Sequence, residues 1–167
     1  AALKVLKDPS LQGKKNRKSR WSQLRKVSDD AFDWSSMSQR SLGVHWRKLN
    51  ASQRERFVTT FRELLASHYL GQIDRFTGKE RLEFKGTGET PEGTEVKMVL
   101  MTASREKVPL HFFVDERPKV YDVSIEGVSI ANHYRGVFNR QLTNGDFDSL
   151  MKKLERKIAR KKKKQQR

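Results

Sequence analysis

Cysteine is absent from the 167-residue chain, which removes disulfides, thiolate metal sites and cysteine nucleophiles together. The compartment stays open, because an exported protein need not use disulfides. No apolar run approaches the ~18 residues that a membrane-spanning helix needs. Residue 1 does not begin a signal peptide; the chain opens on Ala1 inside what reads as a helix end, so the N-terminus is expected to be trimmed and any export signal to have preceded it. Acidic residues are scarce relative to basic ones, 20 against 36, and the net charge of +16 favours phosphate-bearing partners, either nucleic acid or anionic lipid head groups. Charge alone does not choose between them. Catalytic signatures are missing as well: there is no nucleophile elbow, phosphate loop, zinc signature or glycine-rich dinucleotide turn. His45, His68, His111 and His133 are scattered without metal-ligand spacing, and His68, inside an apolar helix face, reads as a satisfied core imidazole.

What is present suffices for one domain with a core and is short for two. We expect a single α+β domain over residues 1–158 and a basic, unstructured tail over 159–167. Ala1 to Leu6 reads as the last turn of a helix stopped by Asp8-Pro9. Lys14, Lys15, Arg17, Lys18 and Arg20 lead into a helix with Trp21, Leu24 and Val27 on one face. A short helix follows, with Asp33 as its cap, Met37 and Leu42 on its buried side and Gly43 as its stop. Asn50-Ala-Ser-Gln53 is a capping-box pattern, and the helix it starts carries Phe57, Val58, Phe61, Leu64, Leu65, His68, Tyr69 and Ile73 at three- and four-residue steps.

Alternating runs come next. Leu82 and Phe84 mark one strand, Val96, Met98 and Leu100 a second, Val108, Leu110 and Phe112 a third. Turns at Gly86 to Gly93 and Ser104 to Lys107 are short enough for antiparallel neighbours, hence a meander sheet of about four strands. Tyr121, Val123 and Ile125 form the fourth, which turns at Glu126-Gly127 into a helix bearing Ile130, Tyr134, Val137, Phe138 and Leu142. Asp122 and Tyr121 are either polar rim groups or satisfy nearby backbone donors. Asp146 is suited to cap a last helix with Phe147, Leu150, Met151, Leu154 and Ile158 on one face, before the chain runs into Lys161, Lys162, Lys163 and Lys164. These lysines are candidates for head-group electrostatics at an anionic membrane surface; the bland alternative is a solvated end.

Phe32-Asp33-Trp34, Leu42-Gly43, Trp46, Gln53 through Phe57, Phe61, Leu64-Leu65, Tyr69-Leu70, and Val120 through Ser129 with Tyr134-Arg135 and Phe138, in this order, resemble the MlaC/Ttg2D family. The resemblance runs from about Leu11 to Leu154. It implies a periplasmic, non-enzymatic phospholipid-binding protein of an ABC-transport system, in which a twisted sheet wrapped by N-terminal and C-terminal helices (an NTF2-like cone) encloses an apolar cavity. It further implies a phospholipid as cargo with no cofactor. The partners would be the inner-membrane ABC transporter complex with its MCE-domain subunit and an outer-membrane lipoprotein complex, the system linked to toluene tolerance and to outer-membrane lipid asymmetry. The chain departs from the family at Arg117-Pro118-Lys119, where a tryptophan commonly precedes the Val-Tyr-Asp motif.

On this reading the acyl chains meet Phe57, Phe61, Leu65 and Tyr69 of the long helix, Met98, Leu100, Leu110, Phe112, Val123 and Ile125 of the sheet, and Ile130, Tyr134 and Phe138 beyond Gly127. The bland reading of each is ordinary core. Two other functions are compatible with parts of the sequence. A nucleic-acid binder follows from the charge, but the aromatics fall at core spacing and make no stacking platform among the basic residues. A small cone-fold isomerase-like enzyme would need an ionisable pair inside its cavity, and a wholly apolar lining excludes it.

Overall fold

The computed structural model describes residues 1–73 and 75–165, apart from the side chains at 70, 71, 73 and 165. The side chains of Ile73 of the long stripe and of Leu70, and Arg167, therefore lie outside the described part. Six helices and five strands are present among the described residues, an α+β fold as expected. The chain divides into two compact units, each drawn from two separate stretches: Ala1–Asp33 with Leu70–Gly127, and Trp34–Tyr69 with Val128–Arg167.

The first unit holds helices α1 (Ala2–Lys7) and α2 (Arg17–Ala31) and strands β1 (Arg81–Thr90), β2 (Gly93–Met101), β3 (Lys107–Val114) and β4 (Val120–Ile125). The strands pair antiparallel in chain order, the expected meander. One boundary differs from expectation. The stretch from Gly86 onward is strand up to Thr90, and the turn is confined to Pro91 and Glu92. A bulge between Phe84 and Gly86 absorbs the glycine, whose φ of 133° is closed to other residues, so the ladder resumes beyond it. At the far end of the hairpin Gly93 (φ 145°) lies so close to β3 that an added Cβ would meet the Val114 carbonyl oxygen at 2.1 Å.

Arg20, the last cation of the basic stretch, is buried, and its guanidinium donates to the Leu11 carbonyl at 2.7 Å. The last residues of α2 join β4: the Asp33 amide donates to the Val120 carbonyl at 2.9 Å, and Phe32 and Val120 form a parallel bridge. In the Arg117-Pro118-Lys119 segment, Arg117 donates to Asp115 at 2.6 Å and also to the Asp33 carboxylate, while the Lys119 ammonium donates to the Asp30 carbonyl. A polar latch thus occupies the entrance to β4. The Lys119 amide, and then Arg117, hold the Asp115 carboxyl below its ordinary range.

The second unit holds α3 (Trp34–Leu42), a 3₁₀ turn (Gly43–Lys48), most of α4 (Ala51–Ile73), the two-residue strand β5 (Val128–Ser129), α5 (Ile130–Thr143) and α6 (Phe147–Gln165). Its helix starts follow the sequence closely. The Gln53 amide donates to Asn50 Oδ1 at 2.9 Å and the Asn50 amide to Gln53 Oε1 at 3.0 Å, completing the capping box. Ser129 accepts from the Asn132 amide at 3.0 Å to cap α5, and Asp146 from the Ser149 amide at 2.7 Å to cap α6. Gly43, at φ 55°, ends α3. Helix α6 continues through residue 165, so lysines expected in an unstructured tail are helical.

Candidate functional site

Within the sheet the register sorts the apolar residues into cross-strand rows. Leu82 faces Leu100, which faces Val108; Phe84 faces Met98, then Leu110, then Ile125; Val96 faces Phe112, then Val123. Because side chains alternate along a strand, these rows lie on one face and make a continuous apolar surface. Most of that surface is incompletely covered. Met98, Leu100, Leu110, Phe112 and Ile125 are half-buried, Val123 is buried, and Phe84 keeps 63% of its surface exposed.

The opposite face carries the sheet's polar pairs. His111 Nδ1 lies 2.7 Å from Glu95 Oε1, and the hydrogen bond with His111 holds the Glu95 carboxyl below its ordinary range. By strand alternation this ionisable pair is directed away from the apolar rows, so it supplies no acid or base among them. Asp122, buried on β4, accepts from the Val123 amide at 2.8 Å, and the Tyr121 hydroxyl meets Thr90 Oγ1 at 3.2 Å. Asp122 thus satisfies a backbone donor. Among the described residues no group of His, Asp or Glu is arranged to hold a metal ion.

Four site residues of the second unit come together as an aromatic cluster. The ring centroids of Phe57 and Phe61 are 5.6 Å apart; Phe138 stands edge-on to both at 5.5 and 5.7 Å, and Tyr134 edge-on to Phe61 at 5.2 Å. Phe57, Phe61 and Phe138 have no exposed surface. Such edge-to-face contacts each add about 0.5–1.5 kcal/mol beyond burial. Burial, and then the charge of Tyr69, push the Tyr134 phenol up to about 12, so it stays neutral at physiological pH. Leu65 is buried, whereas Tyr69 and Ile130 are half-buried.

His68 is a correction. It is exposed on α4, where its Nδ1 accepts from the Lys161 ammonium at 2.6 Å. The stripe drew in one residue too many, since a position at helical spacing is apolar only if the helix turns that edge inward. The lysine run divides in the same way. Lys161 is engaged with His68 and Lys162 with Glu63 at 2.9 Å, while Lys163 and Lys164 are exposed. Elsewhere on α4, a depression of about 300 Å³ is lined by Ser52, Glu55, Arg56, Thr59 and Thr60. Its polar walls, and the commitment of Arg56 to Glu155 at 2.8 Å and Asp148 at 3.3 Å, make it a poor host for hydrocarbon.

Leu82, Phe84, Val96 and Val108 mark strands in the sequence and belong to this surface as well, although they are not among the expected site residues. The signal was present: pairing the strands through their turns puts all four in the same rows as Met98, Leu110 and Phe112.

The fold is similar to that of a phospholipid-binding protein from Ralstonia solanacearum, whose structure was solved in complex with a phospholipid. The two share 21% sequence identity with a TM-score of 0.81, over 96% of this chain and 92% of that one. No curated protein matches the chain. The profile of the MlaC protein matches residues 1–156, nearly the whole length, and the chain therefore belongs to the MlaC family.

Proposed function

We propose that this protein is a phospholipid carrier of the periplasm, taking up the acyl chains of its cargo against apolar side chains and releasing them unchanged. The carrying observation is the sheet face on which Leu82, Phe84, Met98, Leu100, Leu110, Phe112 and Ile125 form continuous rows and yet stay partly uncovered. Contiguous exposed apolar area on a soluble chain marks a place where something apolar binds. Each CH2 removed from water contributes about 0.8 kcal/mol, so long acyl chains bring a large gross driving force without any catalytic group. Membership of the MlaC family supports the cargo. On this reading residues 1–158 act as one lipid-binding body and the protein is not an enzyme. It passes lipid between an inner-membrane ABC transporter complex with an MCE-domain subunit and an outer-membrane lipoprotein complex. The proposed acyl-chain contacts are the sheet residues Met98, Leu100, Leu110, Phe112, Val123 and Ile125; of the helical candidates Phe57, Phe61, Leu65, Tyr69, Ile130, Tyr134 and Phe138, the fully buried rings of Phe57, Phe61 and Phe138 are assigned to the closed core instead.

The test is solvent extraction of the purified, folded protein followed by mass spectrometry. Phospholipid in near-stoichiometric amount is the expected result. If none is extracted, and added phospholipid neither binds nor raises the unfolding temperature, the carrier reading is wrong.

A further inference from the structure

Helix α6 is amphipathic in an unusual way. Its apolar edge, Leu150, Met151, Leu154 and Ile158, is buried. The opposite edge is a run of cations: Lys152, Lys153, Arg156, Arg160, Lys163 and Lys164, all exposed and recurring at steps of one, three and four residues, so that they share one side of the helix. The only acids on α6 are Asp148 and Glu155, and both are held by Arg56 of α4. They are drawn toward the α4 side, and beyond Lys152, which faces the capping Asp146, the cationic edge has no further acid on its own helix. Lys161 and Lys162, between the last two pairs of the stripe, are instead engaged with His68 and Glu63 of α4. Those two contacts fix the rotation of the final turns, so the stripe keeps one direction to its end. From Lys152 to Lys164 it spans about 18 Å at 1.5 Å per residue.

We propose that this edge of α6 is a docking surface for an anionic bilayer, on which the helix lies flat while phosphate head groups neutralise the stripe. Arg160, Lys163 and Lys164, the distal half of the stripe, fall beyond the residues matched by the family profile. A straight row of cations on a rigid helix suits a planar array of anionic head groups. Aromatic side chains interleaved with the charges, which single-stranded nucleic acid would use for stacking, are absent from the row. The preference for a bilayer over a nucleic acid rests on the carrier reading above; the stripe itself does not. Bringing the carrier onto a membrane raises its local concentration where a phospholipid can be exchanged.

The experiment is flotation of the full chain with vesicles of phosphatidylcholine alone or with added phosphatidylglycerol, at physiological salt. Three proteins are compared. They are the native chain, a stripe variant (Lys152→Gln, Arg156→Gln, Arg160→Gln, Lys163→Gln), and a charge-matched variant of the exposed lysines near α2 (Lys14→Gln, Lys15→Gln, Lys18→Gln, Lys26→Gln). The native chain should bind only the anionic vesicles. Each juxtamembrane cation gives roughly a fivefold gain in affinity, so the stripe variant, which lacks four of them, should bind on the order of several hundredfold more weakly, while the charge-matched variant stays within about tenfold of native. Should the fourfold variant fail to fold, Arg160→Gln and Lys163→Gln tested singly should each weaken binding about fivefold. The proposal is overturned if native protein ignores anionic vesicles, or if both fourfold variants lose binding equally, which would make the effect one of total charge. It is equally overturned if duplex DNA at the same salt binds more tightly than the vesicles and depends on the stripe. Lipid extracted from the stripe variant separates the two functions: cargo retained with docking lost supports the stripe, whereas docking intact with no cargo in the native chain removes only the carrier reading.

Discussion

The aromatic cluster of the second unit and the apolar face of the sheet in the first are built from the same kinds of side chain and end in different states. Phe57, Phe61 and Phe138 meet ring to ring with nothing left exposed, whereas Phe84 on the sheet is 63% exposed and Met98, Leu110 and Phe112 keep part of their surface. The difference follows from how the elements present their residues. Rings projecting from α4 and α5 turn edge to face and fill one another's gaps, while a sheet face lays its side chains in parallel rows that only another layer can cover. Apolar area used in closed packing contributes to folding. Area left partly open is available to a ligand, and the two regions therefore divide stability from binding.

The sharpest attempt to break this contrast is Phe61→Ala. Removing a fully buried ring should cost about 3–5 kcal/mol, read from urea unfolding. A loss below about 1 kcal/mol would mean that the cluster is no tighter than the sheet face. Next in size is Asn50→Ala, which removes the side-chain half of the capping box on the helix that carries Phe57 and Phe61. It should lower stability by about 1 kcal/mol and leave extractable lipid unchanged. Phe84→Ser should move stability by no more than about 0.5 kcal/mol, as at other exposed positions, yet reduce bound phospholipid. An unchanged lipid content would detach Phe84 from the proposed site.

The smallest expected effect concerns pH. Partial desolvation of the imidazole, although the residue as a whole is exposed, followed by the charges of Lys161, Lys157 and His133, lowers the His68 pKa from its ordinary 6.5. A depressed folded value means that the folded state resists taking the proton. The contribution of His68 is thus fully present above 6.5 and is lost as pH falls through the lowered value. NMR titration should place its midpoint below 6.5, and stability should decline less on acidification in His68→Gln than in the native chain.

Much of the fold could be read locally. Asn50 with Gln53, Ser129 and Asp146 act within three residues of themselves, so their caps needed no tertiary knowledge. Period-two alternation likewise identified β2, β3 and β4. The Gly86 to Thr90 stretch was read as a turn because its composition is that of one; only pairing with β2 shows a glycine taking up a bulge inside a continuing strand. The surroundings of Arg20, His68, Lys161 and Lys162 were not legible in the sequence, for a shared reason. Each is a long or polar side chain whose direction is decided by a partner nine or more residues away. The apolar candidates were identified correctly as apolar. Which of them pack shut and which stay open depends on what covers each face, and periodicity carries no record of that.

The interleaving of the two units along the chain also governs the order in which structure becomes possible during synthesis. Phe32 waits for Val120, and the Arg117–Asp33 contact joins residues 84 apart, so α2 cannot settle on its strand until most of the chain has emerged. The ring of Phe57 waits still longer for Phe138. Neither unit is available to a nascent chain as a contiguous block, and the apolar rows of the sheet, complete once Ile125 has been made, exist before the last partners of the aromatic cluster have been translated.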